Sequence, residues 1–457
     1  MRRGLLACAF ALLAVPLAAA DLRGAVGTVK ITPQPSLQHP VYMAGFNQNR
    51  TALGIHDDLY ARALVLELGK RRVALIAVDL IGLFKDDCDR VRARLRQAGI
   101  DEAIVSSTHT HAGPDTLGIW GPSRASSGLD PAYMRLVSDR VLEAVQTASA
   151  RLQPVTLHAA TGQTHNLTKD MRLPLILDET LGVLQGRAGG KPAFTMVCWA
   201  SHPEGLGRKN RQLSADWCAS AIARLESQTH APAVYFNGAI GGLMTCLEVQ
   251  ITDPKTSQPA PPETFRQIEL IGTAVADNAL ALIASAPPCR EQRLEINRRE
   301  LDIPMTNTLY RAAVTLGVLK RSLFRSGKPT MAMMAALAQP DIRTEVARWR
   351  IGDVELAAIP GELYPELAVG QFQDPREPNA DFPDAPREPH VRGLLAGPHR
   401  WVIGLANDEI GYIIPKSQWD LNAPFCYGRQ KPQYGEVNSI GPDAAPLIMQ
   451  TLSDLCR

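Results

Sequence analysis

Ile104-Val105-Ser106-Ser107-Thr108-His109-Thr110-His111-Ala112-Gly113-Pro114 is the stretch on which the reading of this 457-residue chain turns. A β-branched apolar run ends in two histidines spaced i, i+2, and a Gly-Pro pair then stops the element. On an extended backbone that spacing sets both imidazoles on one face, where they converge on a single ion or proton relay. The same order recurs three times: apolar runs at 194–199, 354–359 and 401–405 precede His202, Glu362 and Tyr412. In an open α/β sheet the carboxyl ends of the strands share one edge. The pattern therefore expects four groups to meet there.

With 45% hydrophobic and 21% charged residues, the chain has material for a large core. The formal charge is only +2, and Lys and Arg are not gathered into long blocks, which argues against a nucleic-acid partner. At the N-terminus Arg2 and Arg3 precede an apolar run over 5–17 and then Ala18-Ala19-Ala20. That arrangement reads as a secretory signal peptide over 1–20, followed by one domain over 21–457, exported to the periplasm or beyond. No later run is long and apolar enough to span a bilayer, so membrane contact is at most peripheral. Past the signal, Cys88, Cys198, Cys218, Cys246, Cys289, Cys426 and Cys456 are widely spread, and an odd count leaves one unpaired within a chain. Spacing fixes neither the disulfide pairing nor the oligomeric state.

Strand signals fall at 26–31, 60–68, 72–80, 155–160, 181–185, 193–199, 232–236 and 293–303, and again within 401–414. Helical spacing falls at 86–98, 131–148 and 264–285, and Ser214 reads as the N-cap of a helix running to 226. The segments 309–323 and 331–337 are apolar enough to touch lipid, but read better as buried helix. An irregular excursion rich in Pro, Asp and Arg covers 374–398. The glycines of Gly238-Ala239-Ile240-Gly241-Gly242 lack the lysine and spacing of a P-loop and read as a tight turn. This alternation predicts an α/β fold, a mixed and largely parallel sheet core flanked by helices, with the metal site at the strand carboxyl ends.

Taken together these motifs resemble the neutral (non-lysosomal) ceramidases. The opening Val26-Gly27-Thr28-Val29-Lys30-Ile31-Thr32-Pro33, Met43-Ala44-Gly45-Phe46, Gly54-Ile55-His56 and above all Thr108 to Pro114 follow the family's order, with His202, Ile359-Pro360-Gly361-Glu362 and Gly411-Tyr412 completing it. The resemblance implies zinc ligands at His109, His202, Glu362 and Tyr412. It further implies catalytic roles for His111, as a proton carrier beside the metal, and for Tyr434, as a second active-site tyrosine. A zinc ion with an open position supplies a water whose pKa is lowered to about 7, and the implied substrate is the N-acyl amide of ceramide or a related lipid. Three departures stand out. The segment 238–242 lacks a serine that the family carries; Asn166-Leu167-Thr168 lacks an arginine; and the chain ends where the family continues into an immunoglobulin-like domain. Two alternatives follow from them: a zinc hydrolase of another amide or ester, and a metal-binding relative without turnover.

Overall fold

Along Tyr60–Leu68 every second side chain turns to the same face. Ala61, Ala63 and Val65 enter a helix-covered cluster, whereas Leu64 and Leu66 enter a cluster built from sheets alone. A strand hidden on both faces reads as an unbroken apolar run, as residues 63–66 do here. The computed structural model, which describes residues 22–334 and 338–457, builds three large sheets on this logic beside four two-stranded ones. The signal segment expected over 1–20 lies outside the described residues, as do 335–337.

The first sheet contains β1 (Arg23–Lys30), β2 (Tyr60–Leu68), β3 (Arg71–Val78) and β4 (Glu102–Ser107), in the order β4-β3-β2-β1, with the two residues Gln153–Pro154 pairing antiparallel on the far side of β1. Its outer face is covered by α1 (Lys85–Gln97) and α2 (Pro131–Ala150). The second holds β5 (Thr156–Gln163), β6 (Thr180–Ala188), β7 (Lys191–Trp199) and β8 (Ala233–Asn237), in the order β8-β7-β6-β5. It is backed by α3 (Trp217–Thr229) and α4 (Phe265–Ala284). After β9 (Leu294–Pro304) comes α5 (Thr308–Thr315), then β10 (Leu323–Arg325), β11 (Lys328–Thr330), β12 (Asp341–Ile351), β13 (Val354–Ala358) and β14 (His399–Ile403). Those strands form the third sheet, ordered β11-β10-β12-β13-β14 with β9 on β12, and α6 (Ala444–Cys456) packs against it. Leu64, Ile104, Phe236, Trp349, Leu356 and Ile403 bring the inner faces of all three sheets into one buried core.

The α/β class stands, but the sheets are largely antiparallel rather than largely parallel. Only β3–β4, β7–β8 and β13–β14 run parallel within them. The reason lies in short glycine turns, Gly69-Lys70, Gly189-Gly190 and Gly352-Asp353, where positive φ at Gly69, Gly189 and Gly352 folds each strand straight back on its predecessor. Parallel pairing in the first two sheets appears where a helix, α1 or α3, carries the chain across.

Several local expectations need correction. Asp216, not Ser214, caps α3, its carboxylate accepting from Trp217 N; Ser214 Oγ instead accepts from Asp216 N. The 309–323 segment is not a buried helix. It gives only the eight residues of α5, of which Val314 alone is buried, because Gly317 turns the chain at φ 72°. Conversely α4 is, by length and composition, apolar enough to cross a membrane. Its Ile268, Ile271, Val275, Ala279 and Ile283 pack into the core, and α3 lies so close that a Cβ on Gly272 would sit 2.3 Å from Trp217 O. All seven described cysteines are free thiols.

One contact sets the spacing of sheet and helix. A Cβ on Gly27 of β1 would lie 2.1 Å from Ala144 O of α2, closer than any real contact. Gly27→Ala is therefore expected to cost about 1–3 kcal/mol by overpacking, read as a lowered midpoint with an unchanged slope in urea unfolding.

Candidate metal centre

The four groups expected to meet come from four loops beyond four strand ends, Tyr412 lying past β14. His109 follows β4, His202 follows β7, and Glu362 follows β13. Tyr412 reaches Glu362 through a two-residue parallel bridge in which the two are register partners, with Glu362 N donating to Gly411 O at 3.1 Å. The loops are stitched together by buried amides. Asn407 N donates to Val105 O, Val105 N donates to Asn407 Oδ1 at 2.8 Å, and the Asn237 side chain donates to Thr108 O. The sharp Gly238–Gly242 turn presses on the Glu362 backbone, and a Cβ on Gly241 would lie 2.7 Å from Glu362 O.

His109 and His111 do converge, but not through extended-strand alternation. β4 ends at Ser107 and His109 has φ 69°, a left-handed conformation that costs a non-glycine residue energy. The backbone holds it there through His109 N to Leu80 O at 2.9 Å, and the rings stand 5.1 Å apart. His111 fits because Gly45 has no side chain; a Cβ there would lie 2.3 Å from the His111 ring. That gives a physical purpose to the Met43-Ala44-Gly45-Phe46 motif. Phe46 then stands edge-on to His111 at 5.1 Å.

The ring nitrogens show what the cluster can hold. His109 Nδ1 bonds Ile81 O at 2.6 Å and His202 Nδ1 bonds Met244 O at 2.7 Å, so in each neutral ring Nε2 carries the lone pair. Yet Glu362 Oε2 lies 2.9 Å from His202 Nε2 and 3.6 Å from His109 Nε2. A lone pair facing a carboxylate at that distance needs a positive charge between them, either a proton or a metal ion. The electrostatics agree. Burial pushes His109 down to about 3, leaving it neutral, as a ligand must be. Burial opposes charge on His202 as well, but its bond to Glu362 pulls that pKa upward, and His109 and His202 together hold the Glu362 carboxyl down against burial. His109, His111 and His202 also form a buried group whose ligand atoms lie within 4.8 Å of one another. The residues present therefore fit a divalent cation.

His111 sits beside this core. Its Nδ1 lies 3.2 Å from Glu204 Oε2 in an ion-pair contact outside hydrogen-bond geometry, and both of its buried ring nitrogens lack a hydrogen-bond partner. Burial works against charge on Glu204, but His111 holds its carboxyl down at about 2. The sequence reading missed Glu204, although its place in His202-Pro203-Glu204, two residues past a candidate ligand, was the available signal. Asp216 props the loop after His202 by accepting from Leu206 N at 3.1 Å, and Trp217 Nε1 donates to His202 O.

His109, His111 and Glu362 floor a cavity of about 190 Å³ whose wall includes Phe84, Trp120, Tyr310, Arg321 and Glu409. Tyr412 lines it and is buried, its ring 6.4 Å from that of His202. Tyr434 is half exposed at the rim, and its hydroxyl accepts from Asn438 Nδ2 at 2.7 Å. Arg321, unnoticed in the sequence, places a cation in the wall from a segment unrelated to 166–168. His56 stacks on Phe265 at 3.6 Å and bonds Asp57, and Asp79 is neutralised by Arg62 at 2.7 Å; both serve the scaffold.

An α/β fold of three sheets whose loops gather imidazoles, a carboxylate and phenols under one cavity defines the class. Residues 26–172 match the family model described as "Neutral/alkaline non-lysosomal ceramidase, N-terminal", a span that includes His109 and His111. Over that span the chain is similar to the N-terminal part of the neutral/alkaline non-lysosomal ceramidases. It is 30% identical over 181 residues to the neutral ceramidase of Pseudomonas aeruginosa, covering 37% of this chain and 26% of that protein. Over 129 residues it is 30% identical to the neutral ceramidase of Mycobacterium tuberculosis, covering 26% of this chain and 20% of that one. The matched stretches thus span about a quarter or less of these curated relatives. The crystal structure of the Pseudomonas aeruginosa neutral ceramidase superimposes with a TM-score of 0.69 at 19% identity, covering 96% of this chain and 74% of that one. A structure titled "Ceramidase complexed with C2" gives 0.70 at 18% identity, covering 96% and 75%. At such identities these two matches establish the shared fold.

Glu362→Gln and His202→Ala are each expected to weaken divalent-cation binding by more than about 100-fold, beyond the loss typical of an outer partner. Competition against a chromophoric chelator measures this. His165→Ala, at an exposed position, serves as the unchanged control.

Proposed function

We propose that this protein is an exported, zinc-dependent hydrolase that cleaves the N-acyl amide bond of ceramide or a related lipid. The observation that carries the reading is the convergence of His109, His202 and Glu362, with a lone pair held against a carboxylate, where His109 and Glu362 line an open cavity and His202 lies buried behind them. In this reading His109, His202, Glu362 and Tyr412 hold the zinc. Zinc suits imidazole and oxygen donors and, when bound, supplies Lewis acidity toward a carbonyl and a water of lowered pKa.

The chain's own residues do the rest. His111, beside the metal ligands and backed by the Glu204 carboxylate, takes the proton from the attacking water and delivers it to the leaving amine. Glu204 steadies the imidazolium that forms in between, as a buried carboxylate does for a catalytic histidine. The Tyr434 phenol is pushed up to about 12 by partial burial and keeps its proton; with Asn438 donating to its oxygen, that proton is free for the carbonyl oxygen. Phe46, Phe84 and Trp120 offer the acyl chain an apolar wall. No hydroxyl stands in the 238–242 turn, so a covalent route through that turn is closed to this site. Residues 1–20 serve as the export signal in this reading.

The test is fatty-acid release from a panel of N-acyl sphingoid bases by protein with counted zinc, before and after a chelator. Release that disappears on chelation and returns with zinc is expected, and its absence across the panel overturns the proposal. His111→Ala is expected to lower kcat about 10²–10⁴-fold with zinc content unchanged. Loss of the zinc instead would make His111 a ligand.

A further inference from the structure

The acid-free stretch around α5 forms a surface that the reaction does not use. Between Asp302 and Asp341 the sequence holds five cations, Arg311, Lys320, Arg321, Arg325 and Lys328, and no carboxylate. Arg321 turns inward to Asp408, whereas Lys320, Arg325 and Lys328 are exposed and make no ion pair with any described residue. On the neighbouring β9, by contrast, Arg298 is matched with Glu102 and Arg299 with Asp454.

Large apolar side chains stand out on the same surface. Leu309 is 61% exposed, Leu316 63%, Met331 67% and Met333 64%. They are neighbours, since Leu309 and Leu316 lie seven apart along α5 and its immediate end, and Thr315 Oγ1 bonds Ala332 O to bring the 331–333 turn against that end. The patch continues to the cavity mouth. Asn307, the cap of α5, donates to Val437 O and Ser439 O, which places the helix beside exposed Val437 and the Tyr434 rim, while Tyr310 and Leu319 of the same stretch line the cavity.

We propose that this lip is the face on which the protein docks to an anionic lipid bilayer. Leu309, Leu316, Met331 and Met333 enter the headgroup boundary, and Lys320, Arg325 and Lys328 meet lipid phosphates and carboxylates. Exposed apolar side chains on one segment with exposed cations that make no ion pair have this signature, because burial of apolar area and attraction to anionic lipid act together. A docked chain would set its cavity mouth against the membrane, so a lipid reaches the site without crossing bulk water.

The lip stands on exposure and charge alone, so vesicle binding tests it separately from hydrolysis. The full mature chain is sedimented with phosphatidylcholine vesicles with and without phosphatidylserine. Anionic vesicles are expected to bind on the order of a hundredfold more tightly, from three cations at the surface, and to release the protein as salt rises. Combined Lys320→Gln, Arg325→Gln and Lys328→Gln should abolish the preference for phosphatidylserine. Combined Leu316→Ser, Met331→Ser and Met333→Ser should reduce vesicle binding at least tenfold while leaving the thermal midpoint and release from a water-soluble short-chain N-acyl substrate unchanged. Binding indifferent to both sets overturns the docking face, as does a patch-dependent dimer in size-exclusion chromatography. Vesicle binding without any hydrolysis would instead overturn the catalytic reading and leave the face standing.

Discussion

Between His202 Nε2 and Glu362 Oε2 lies a gap of 2.9 Å that two acceptors cannot share unaided. The tautomer is fixed from behind by Met244 O, so the ring cannot escape by moving its proton. A carboxylate in that position, nearly inaccessible to water, stays charged only because imidazoles surround it. Much of the neighbouring structure can be read as what keeps that unfavourable meeting in place: the bridge that pairs Glu362 with Tyr412, the glycine turn packed on the Glu362 backbone, and the Asn407 and Asn237 amides that lash the loops together.

Those supports explain why the site is made of loops yet is rigid. Each donor sits within a few residues of a strand end, and the strands meet through one shared core. The left-handed φ at His109 is held by backbone bonds to the β3 side, and Gly45 supplies the void that His111 fills. Strain of this kind persists where the surroundings over-determine it.

The convergence of ligand-type residues was more legible in the sequence than the scaffold was. Ligand-type residues just beyond apolar runs were visible at His109, His202, Glu362 and Tyr412, and β2 and α4 were readable within a residue because periodicity and caps agree there. Strand direction was not. A run buried on both faces looks the same in parallel and antiparallel sheets, and the decisive signals, Gly69-Lys70 and Gly352-Asp353, are only two residues long. The 309–323 stretch misled for a related reason, since apolar composition records what a side chain avoids and not what covers it. Glu204 was invisible because its value depends on a contact with His111, 93 positions earlier (204 − 111).

Because His109, His202 and Glu362 hang from three different sheets, an ion bound among them would act as a rivet through the whole molecule. By mass action, whatever occupies the centre in the folded state and not in the unfolded one adds its binding free energy to the cohesion of those sheets. The seven thiols are all free, so no covalent bond between described cysteines shares that duty. Resistance to heat and proteases would then rise and fall with the supply of the ion, and starvation for it would reach the scaffold as well as the chemistry.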